Sequence, residues 1–113
     1  MRVYVSGPIT GYENGNREAF VERVRLLTEA GYEAVNPHDC SPDHPGECTG
    51  RSIDRPHRYG CYLRGDLRVL LDCDAITFLP GWEASPGVRV ERTVALGIGL
   101  RVVSLVEGKF ITS

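Results

Sequence analysis

The sequence predicts a small α/β protein in which helices alternate with the strands of one parallel sheet. Short runs rich in β-branched and aromatic residues, such as residues 2–6 and 74–79, indicate strands. Between them lie segments whose apolar residues recur every three to four positions, the spacing of a helix buried on one face. Because strands alternate with helices, we expect right-handed crossovers and a single doubly wound domain of the Rossmann or flavodoxin type.

The first third of the chain predicts a strand, a helix and a second strand. A loop of turn-forming residues follows the strand over 2–6, and Asn14 or Asn16 can cap the helix after it. Gly31 is suited to end that helix, and residues 32–36 form the second strand. The apolar positions of the helix, spaced i, i+4 and i+7, are Phe20, Val24 and Leu27.

An irregular insertion over about residues 37–58 follows within the same domain. It contains four prolines, and a loop of this length in a small domain is usually functional or mobile. The last residues, 106–113, fit a tail, a short strand or an arm used in a dimer. The elements predicted in between are a helix over 59–72, a strand over 74–79, a helix from Pro86 to Gly97 or Gly99, and a strand over 100–105.

Composition places the chain among ordinary soluble globular proteins. Its 113 residues are 42% hydrophobic and 25% charged, and its net charge of −2 does not favour a nucleic-acid-coating protein. No apolar run approaches the ~20 residues that cross a bilayer, and the first residues lack the layout of a signal peptide. We therefore expect a cytoplasmic protein without nucleic-acid or membrane partners, whose four cysteines are reduced thiols.

Glu91 is the first candidate for chemistry because it is an acid on an apolar helix stripe. Ser85 and Pro86 mark the helix start, since serine accepts hydrogen bonds from the first N–H groups and proline suits the first helical position. A buried carboxylate is costly unless it is paired or used. The alternative is that Glu91 lies at the margin of the stripe or pairs with Arg92 or another base. The stripe, spaced i, i+3, i+7 and i+10, is Val88, Glu91, Ala95 and Ile98.

Asp66 and Tyr4 are two further candidates. Asp66 borders the apolar stripe of the helix over 59–72, between Leu63 and Leu70. Tyr4 lies near the carboxyl end of the first strand, the end at which doubly wound sheets bind their ligands. Taken alone, Tyr4 fits a core aromatic; it becomes a candidate because both acids could reach the same cleft.

Two turns at strand ends could bind an anion. Residues 6–11 (SGPITG) contain glycines that would let backbone N–H groups approach a phosphate, although the motif is not a P-loop. Ser85 and Gly87 offer a hydroxyl and N–H groups at the positive end of a helix. An ordinary tight turn and a plain N-cap are the alternatives.

Cysteines, histidines and arginines concentrate in and around the irregular segment. The cysteine and histidine series could bind zinc or be scattered loop residues; it lacks a CxxC pair, and the prediction is no metal and no cofactor. The arginines could bind an anionic substrate or be solvated. The first set is Cys40, His44, Cys48, His57 and Cys61, and the second is Arg51, Arg55, Arg58 and Arg64.

Three separated motifs carry a family likeness: RVYVSGPITG, YLRGDLRVLLDCDAITFLPGW and SPGVRVERTVALGIGL. Together they resemble the nucleoside 2-deoxyribosyltransferase-like superfamily, over nearly the whole chain except residues 37–58 and the tail. Within it the sequence is similar to small bacterial and phage members and to the 2'-deoxynucleoside 5'-phosphate N-hydrolases. The combination is fairly specific for the superfamily, but it does not single out one reaction.

The resemblance implies an active site of Tyr4, Asp66 and Glu91. Glu91 would be the nucleophile that attacks the anomeric carbon of a deoxyribose, Tyr4 would orient it, and Asp66 would hold the sugar or move a proton. The substrate would be a deoxynucleoside or its 5'-monophosphate, with hydrolysis favoured over transfer to a second base. A homodimer or higher homo-oligomer is implied, because a neighbouring subunit often completes such sites.

The resemblance also assigns substrate contacts to the two turns. A 5'-phosphate would meet the first loop at Ser6, Gly7 and Ile9 and the later turn at Ser85 and Gly87. The N-hydrolases carry an arginine directly after the isoleucine of the first loop, where this chain has threonine, so an arginine of residues 51–64 would have to supply the charge. The rival hypotheses are a non-catalytic module that binds or senses a nucleotide and a zinc-stabilised interaction domain.

Overall fold

The computed structural model describes residues 1–40, 42, 44, 48 and 57–113. Its eight main elements confirm the predicted α/β class and follow the predicted order, with one strand added at the end. They are β1 (Arg2–Ser6), α1 (Arg17–Glu29), β2 (Glu33–Val35), α2 (Tyr59–Leu71), β3 (Ala75–Phe78), α3 (Pro86–Gly97), β4 (Arg101–Val106) and β5 (Lys109–Thr112).

The strands form one sheet in the order β2-β1-β3-β4-β5. The first four strands are parallel, and β5 pairs with β4 in the antiparallel sense. This is the flavodoxin-like order, in which the chain reverses its direction of growth between β1 and β3. Strand β1 therefore occupies the interior of the sheet, and its carboxyl end lies at the position where such sheets bind ligands.

Helices cover both faces of the sheet, which makes the fold doubly wound. On one face, Phe20 and Leu27 of α1 pack against Val3 and Val5 of β1. On the other face, residues of α2 and α3 pack against Tyr4 of β1 and Ile76 of β3. Because successive strand residues point to opposite faces, Tyr4 and Ser6 both point towards α2 and α3.

For residues 106–113 the sequence allows a tail, a short strand or an arm. In the structure they include the strand β5. Residues 107 and 108 form the turn of a β4–β5 hairpin, and Phe110 packs against the α1-side core. The ring of Phe110 lies edge-on to Tyr32, with the ring centroids 5.9 Å apart. The last element is thus an edge strand of the sheet that also contacts the core.

The cap of α1 differs from the expectation. Asn16 holds the N-cap position, but its side chain makes no capping hydrogen bond and its φ is 60°. The amide Nδ2 of Asn16 instead donates to the carbonyl oxygen of Pro8 at 3.0 Å, so Asn16 holds the first loop rather than the helix end. None of the helices in the described part of the chain has the length and apolar character that a bilayer crossing requires.

Candidate active site

Glu91 lies at the centre of a buried hydrogen-bonded cluster. Its side chain is 6% exposed, and each carboxylate oxygen accepts a hydrogen bond. The phenol of Tyr4 donates to Oε2 at 2.5 Å, and the hydroxyl of Ser6 donates to Oε1 at 2.7 Å. Two donors therefore fix the orientation of this carboxylate.

The local structure explains why these three side chains meet. Tyr4 and Ser6 are two residues apart on β1 and so share the face that α3 covers. Ser85 caps α3 by accepting from the backbone N–H of Val88 at 3.4 Å, and Pro86 follows as its first residue. Glu91 then falls on the buried face of the helix together with Val88 and Ala95.

The position of Glu91 decides between the readings of the sequence. The alternative that Glu91 lies at the margin of the apolar stripe is wrong, because its side chain is buried. Arg92 does not point at it either, since the Arg92 guanidinium lies 5.4 Å from the ring centroid of Trp82. Ile98, the last predicted member of the stripe, is half exposed at the C-cap of α3.

Burial and hydrogen bonding change the pKa of Glu91 in opposite directions. Burial raises the pKa of Glu91, while the hydrogen bonds from Tyr4 and Ser6 lower it. Burial also raises the pKa of Tyr4, and the charges of Glu91 and Asp66 raise it further. The phenol therefore keeps its proton and remains a hydrogen-bond donor to Glu91.

Asp66 of α2 is the second acid near this cluster. Burial, together with the negative charge of Glu91, raises its pKa to about 7. At neutral pH Asp66 is thus close to half protonated and can exchange a proton. The pKa of Glu91 is also raised, because burial outweighs the hydrogen bonds that its carboxylate accepts from Tyr4 and Ser6.

Two residues that the sequence did not assign to the site also lie near these acids. Burial raises the pKa of Tyr59, at the start of α2, and the charges of Glu91 and Asp66 raise it further. Burial also raises the pKa of Cys40 to about 11, with Asp66 as the next cause, so Cys40 is a protonated thiol. Only the long-range packing places them here; the sequence around each carries no signal for it.

The residues predicted to contact substrate have different surroundings in the structure. Ser6 contacts Glu91, and Ser85 caps α3, where its hydroxyl still has a proton to donate. Gly7 is buried so tightly that an added Cβ would lie 2.6 Å from Cδ1 of Leu79. The side chain of Ile9 packs against the α1-side core, so only its backbone could serve a ligand near Glu91.

Gly87 lies in the first turn of α3, beneath an aromatic side chain. An added Cβ at this position would lie 2.7 Å from the hydroxyl oxygen of Tyr59. The phenol of Tyr59, which is 55% exposed, therefore lies over the N-terminus of α3. A ligand that reached the N–H groups of this turn would meet Tyr59 as well.

The sequence singles out arginines and a cysteine and histidine series in and around the irregular segment, and the structure describes part of each set. Arg58 is exposed at the N-cap of α2, and Arg64 is exposed on that helix; Arg51 and Arg55 lie outside the described residues. Four of the five residues in the cysteine and histidine series lie together, and Cys40 is not among them. Their side chains could hold a metal ion.

Comparison with known protein families gives one family that matches most of the chain. A family model described as "Domain of unknown function (DUF4406)" matches residues 1–104. The chain belongs to this family. The matched DUF4406 range contains Tyr4, Asp66 and Glu91, and it ends within β4, before β5 begins.

The comparison with curated proteins gave no match for this DUF4406 chain. The family description assigns no activity. The buried acid cluster and the sequence motifs are therefore the features of this DUF4406 domain that bear on its function.

Proposed function

We propose that this protein hydrolyses the N-glycosidic bond of a 2'-deoxynucleoside 5'-monophosphate or a deoxynucleoside, with Glu91 as the nucleophile. The observation that supports it most directly is the buried Glu91 carboxylate with hydrogen bonds from Tyr4 and Ser6. A carboxylate held in this way suits attack on a carbon with oxocarbenium character. The likeness of three sequence motifs to the nucleoside 2-deoxyribosyltransferase-like superfamily supports cleavage or exchange at the same bond.

In the first step an oxygen of Glu91 forms a bond to C1' of the deoxyribose. The bond from C1' to the base nitrogen breaks, and its electron pair leaves with the base. A proton must reach the departing base, and Asp66 is suited to give it because its pKa of about 7 leaves it partly protonated at neutral pH. The product of this step is a glycosyl ester of Glu91.

In the second step water releases the sugar. Asp66, now ionised, accepts a proton from water while the water oxygen bonds to C1'. The bond between C1' and Glu91 breaks, and the glutamate returns as a carboxylate. Tyr4 and Ser6 stay protonated throughout and hold the carboxylate in both states. A second base in place of water would make the same chemistry a transfer.

The N-terminus of α3 is the favoured place for a 5'-phosphate. The hydroxyl of Ser85 and the N–H groups of the turn through Gly87 offer donors at the positive end of the helix dipole. Tyr59 covers this turn with its phenol and could add one more donor. Thr10 stands where the N-hydrolases that the sequence resembles carry an arginine, so these neutral donors would contribute more to phosphate recognition.

Base release from each deoxynucleotide and deoxynucleoside, followed by chromatography, tests the proposal. We expect the wild-type protein to release at least one free base, and Glu91→Gln to slow release by about a thousandfold or more while keeping the fold. The matched control is Glu83→Gln, because Glu83 is an exposed glutamate in the turn just before α3. It should release base at the wild-type rate.

Substrate binding separates the enzyme from its main rival. If no substrate yields free base or exchanges its base, but the wild-type protein and Glu91→Gln bind a nucleotide equally in calorimetry, the protein is a binding or sensing module. Equal rates of base release for Glu91→Gln and wild type would remove Glu91 as the nucleophile. Sedimentation of the active protein tests the expected homo-oligomer separately.

A further inference from the structure

Four side chains of the types that bind metals lie together beside the first turn of α2. None of them takes part in the proposed reaction. They are His44, Cys48, His57 and Cys61, and one ligand atom from each lies within 4.8 Å of all the others. Their spacing along the chain is H-x3-C followed after eight residues by a second H-x3-C. Two separate parts of the chain therefore contribute one imidazole and one thiol each.

The distances among His44, Cys48 and Cys61 match those of a tetrahedral zinc site, and His57 completes the cluster within 4.8 Å. Zinc bonds of about 2.3 Å to sulfur and about 2.0–2.1 Å to nitrogen, at tetrahedral angles, separate two sulfurs by about 3.8 Å and a sulfur from a nitrogen by about 3.5 Å. The sulfurs of Cys48 and Cys61 are 3.7 Å apart. Nε2 of His44 lies 3.5 Å from the sulfur of Cys48 and 3.2 Å from that of Cys61.

A disulfide does not explain this cluster, and hydrogen bonding leaves one of its nitrogen atoms without a partner among the described residues. The sulfur–sulfur distance is far longer than the ~2.05 Å of a disulfide bond. His57 is 6% exposed, and its Nδ1 is buried without a hydrogen-bond partner among the described residues. A buried imidazole nitrogen normally has a partner, and coordination of a metal through Nδ1 would give it one.

We propose that His44, Cys48, His57 and Cys61 bind one zinc ion in a closed, structural site. Two thiolates and two imidazoles are a ligand set that suits zinc. Because four protein ligands fill the tetrahedron, no position is left for water or substrate, which distinguishes a structural site from a catalytic one. This proposal reverses the prediction from the sequence that no metal is bound, and it excludes Cys40 from the ligands.

The ion would fix the start of α2 to the segment that precedes it. Cys61 lies in the first turn of α2, and His44 and Cys48 precede that helix by more than ten residues. The same helix carries Tyr59 and Asp66, which face the Glu91 cluster. The zinc site would therefore position one wall of the proposed active site; this consequence rests on the proposed function, whereas the metal site itself does not.

Metal analysis of the full-length protein tests the site directly. Purified under reducing conditions without chelator or affinity tag, the wild-type protein should contain about one zinc per chain. Cys48→Ser should lose most of this zinc. The matched control is Cys40→Ser, because Cys40 belongs to the same sequence series but lies outside the cluster; it should keep the wild-type zinc content.

Cobalt substitution keeps the test decisive if a variant folds poorly. Wild-type protein loaded with Co²⁺ should give the visible bands of a tetrahedral site and a thiolate-to-cobalt charge-transfer band, and Cys48→Ser should weaken the latter. Removal of zinc by a chelator should lower the Tm of wild type by about 5 °C or more and leave that of Cys48→Ser nearly unchanged.

Two results would overturn the zinc proposal. One is a reduced wild-type protein that takes up neither zinc nor tetrahedral cobalt; the other is metal uptake that Cys48→Ser leaves unchanged. Neither result depends on base release. A protein that binds zinc but releases no base would contradict the proposed reaction alone, and an active protein without metal would contradict the zinc site alone.

Discussion

At the scale of single residues, the site depends on how one buried carboxylate is stabilised. Burial of Glu91 would favour its protonated form, and the hydroxyls of Tyr4 and Ser6 offset part of that cost by donating one hydrogen bond to each oxygen. Burial and the nearby negative charge of Glu91 both raise the pKa of Asp66. Both acids therefore hold a proton more readily than an exposed carboxyl, and only Glu91 has two O–H donors that stabilise its ionised form.

The ionised side chain of Asp66 should lower the free energy of unfolding at high pH. Its folded-state pKa of about 7 lies above the ordinary value of 3.8, so the folded state favours the protonated form. Stability from this group is complete at low pH and is lost as the pH rises from about 4 to about 7. Asp66→Asn removes the charge, and urea unfolding at about pH 8 should show a free energy of unfolding higher by about 1–3 kcal/mol.

The control for this effect is Asp72→Asn, because Asp72 is exposed at the C-cap of the same helix. It should change the free energy of unfolding by less than about 0.5 kcal/mol at either pH. At about pH 4 Asp66→Asn and wild type should be nearly equally stable, since Asp66 is then neutral in the folded protein and only about half ionised in the unfolded chain. A loss of stability for Asp66→Asn at about pH 8 would show that ionised Asp66 is stabilised by its surroundings.

The sequence could locate some of these residues and not others. Glu91 and Asp66 were predictable because each is an acid on or beside an apolar stripe, which is a local pattern. The substrate contact predicted for Ser6 stays a prediction, and the hydrogen bond from its hydroxyl to Glu91, 85 positions away, has no local signal in the sequence. Tyr59 was not predicted at all, because its position over Gly87 depends on how two helices pack.

At the scale of elements, the carboxyl ends of β1 and β3 pack closely together next to Ser6 of the Glu91 cluster. The backbone N–H of Leu79, after β3, donates to the carbonyl of Ser6 at 2.9 Å, and Gly7 follows Ser6 directly. Gly7 has no room for a side chain against Leu79. The resemblance assigns Gly7 to phosphate binding, whereas the packing gives a reason for glycine that needs no ligand.

Gly7→Ala should therefore destabilise the fold whether or not a ligand binds. The new Cβ would meet three side-chain atoms of Leu79 at 2.6–2.9 Å, which requires the strand ends to separate. We expect the free energy of unfolding to fall by about 1–3 kcal/mol in urea titrations. Gly97→Ala is the control, because nothing lies within 4 Å of its added Cβ in α3; it should be neutral or slightly stabilising.

An unchanged stability of Gly7→Ala would show that Leu79 can move aside easily. Base release would then distinguish the two roles of the glycine. A stable Gly7→Ala variant with weakened binding of monophosphates, but not of nucleosides, would favour the phosphate-binding role. A variant that is unstable and equally affected with both substrates would favour the packing role.

At the scale of the whole molecule, the sheet order brings distant residues together. Tyr4 and Glu91 are 87 positions apart in the chain, and they meet because β1 lies between β2 and β3 while α3 covers its face. The alternation of strands and helices predicted the class of fold and four parallel strands. It did not give the sheet order, because the local patterns of the strands do not specify their neighbours.

The sequence does not decide whether the last residues form a strand, and the turn before β5 gives the physical reason. The β4–β5 turn has positive φ at both central residues, 49° at Glu107 and 79° at Gly108, the pattern of a type I′ hairpin turn. Asparagine or aspartate before glycine is the usual signal for that turn, and glutamate is not. The hairpin therefore forms although its first turn residue disfavours the conformation, with the pairing of β5 and the packing of Phe110 as compensation.

Glu107→Asn should relieve this cost and stabilise the whole domain. Asparagine adopts the left-handed conformation more readily than glutamate, so the free energy of unfolding should rise by about 0.5–1 kcal/mol. Gly108→Ala changes the same turn in the opposite direction, because alanine disfavours a φ of 79°, and it should lower the free energy by about 1 kcal/mol or more. Urea unfolding followed by both tryptophan fluorescence and circular dichroism measures both variants, and coincident curves would show that β5 unfolds together with the sheet. If neither variant shifts the transition, the hairpin opens independently of the domain, and its contact with the α1-side core adds nothing to global stability.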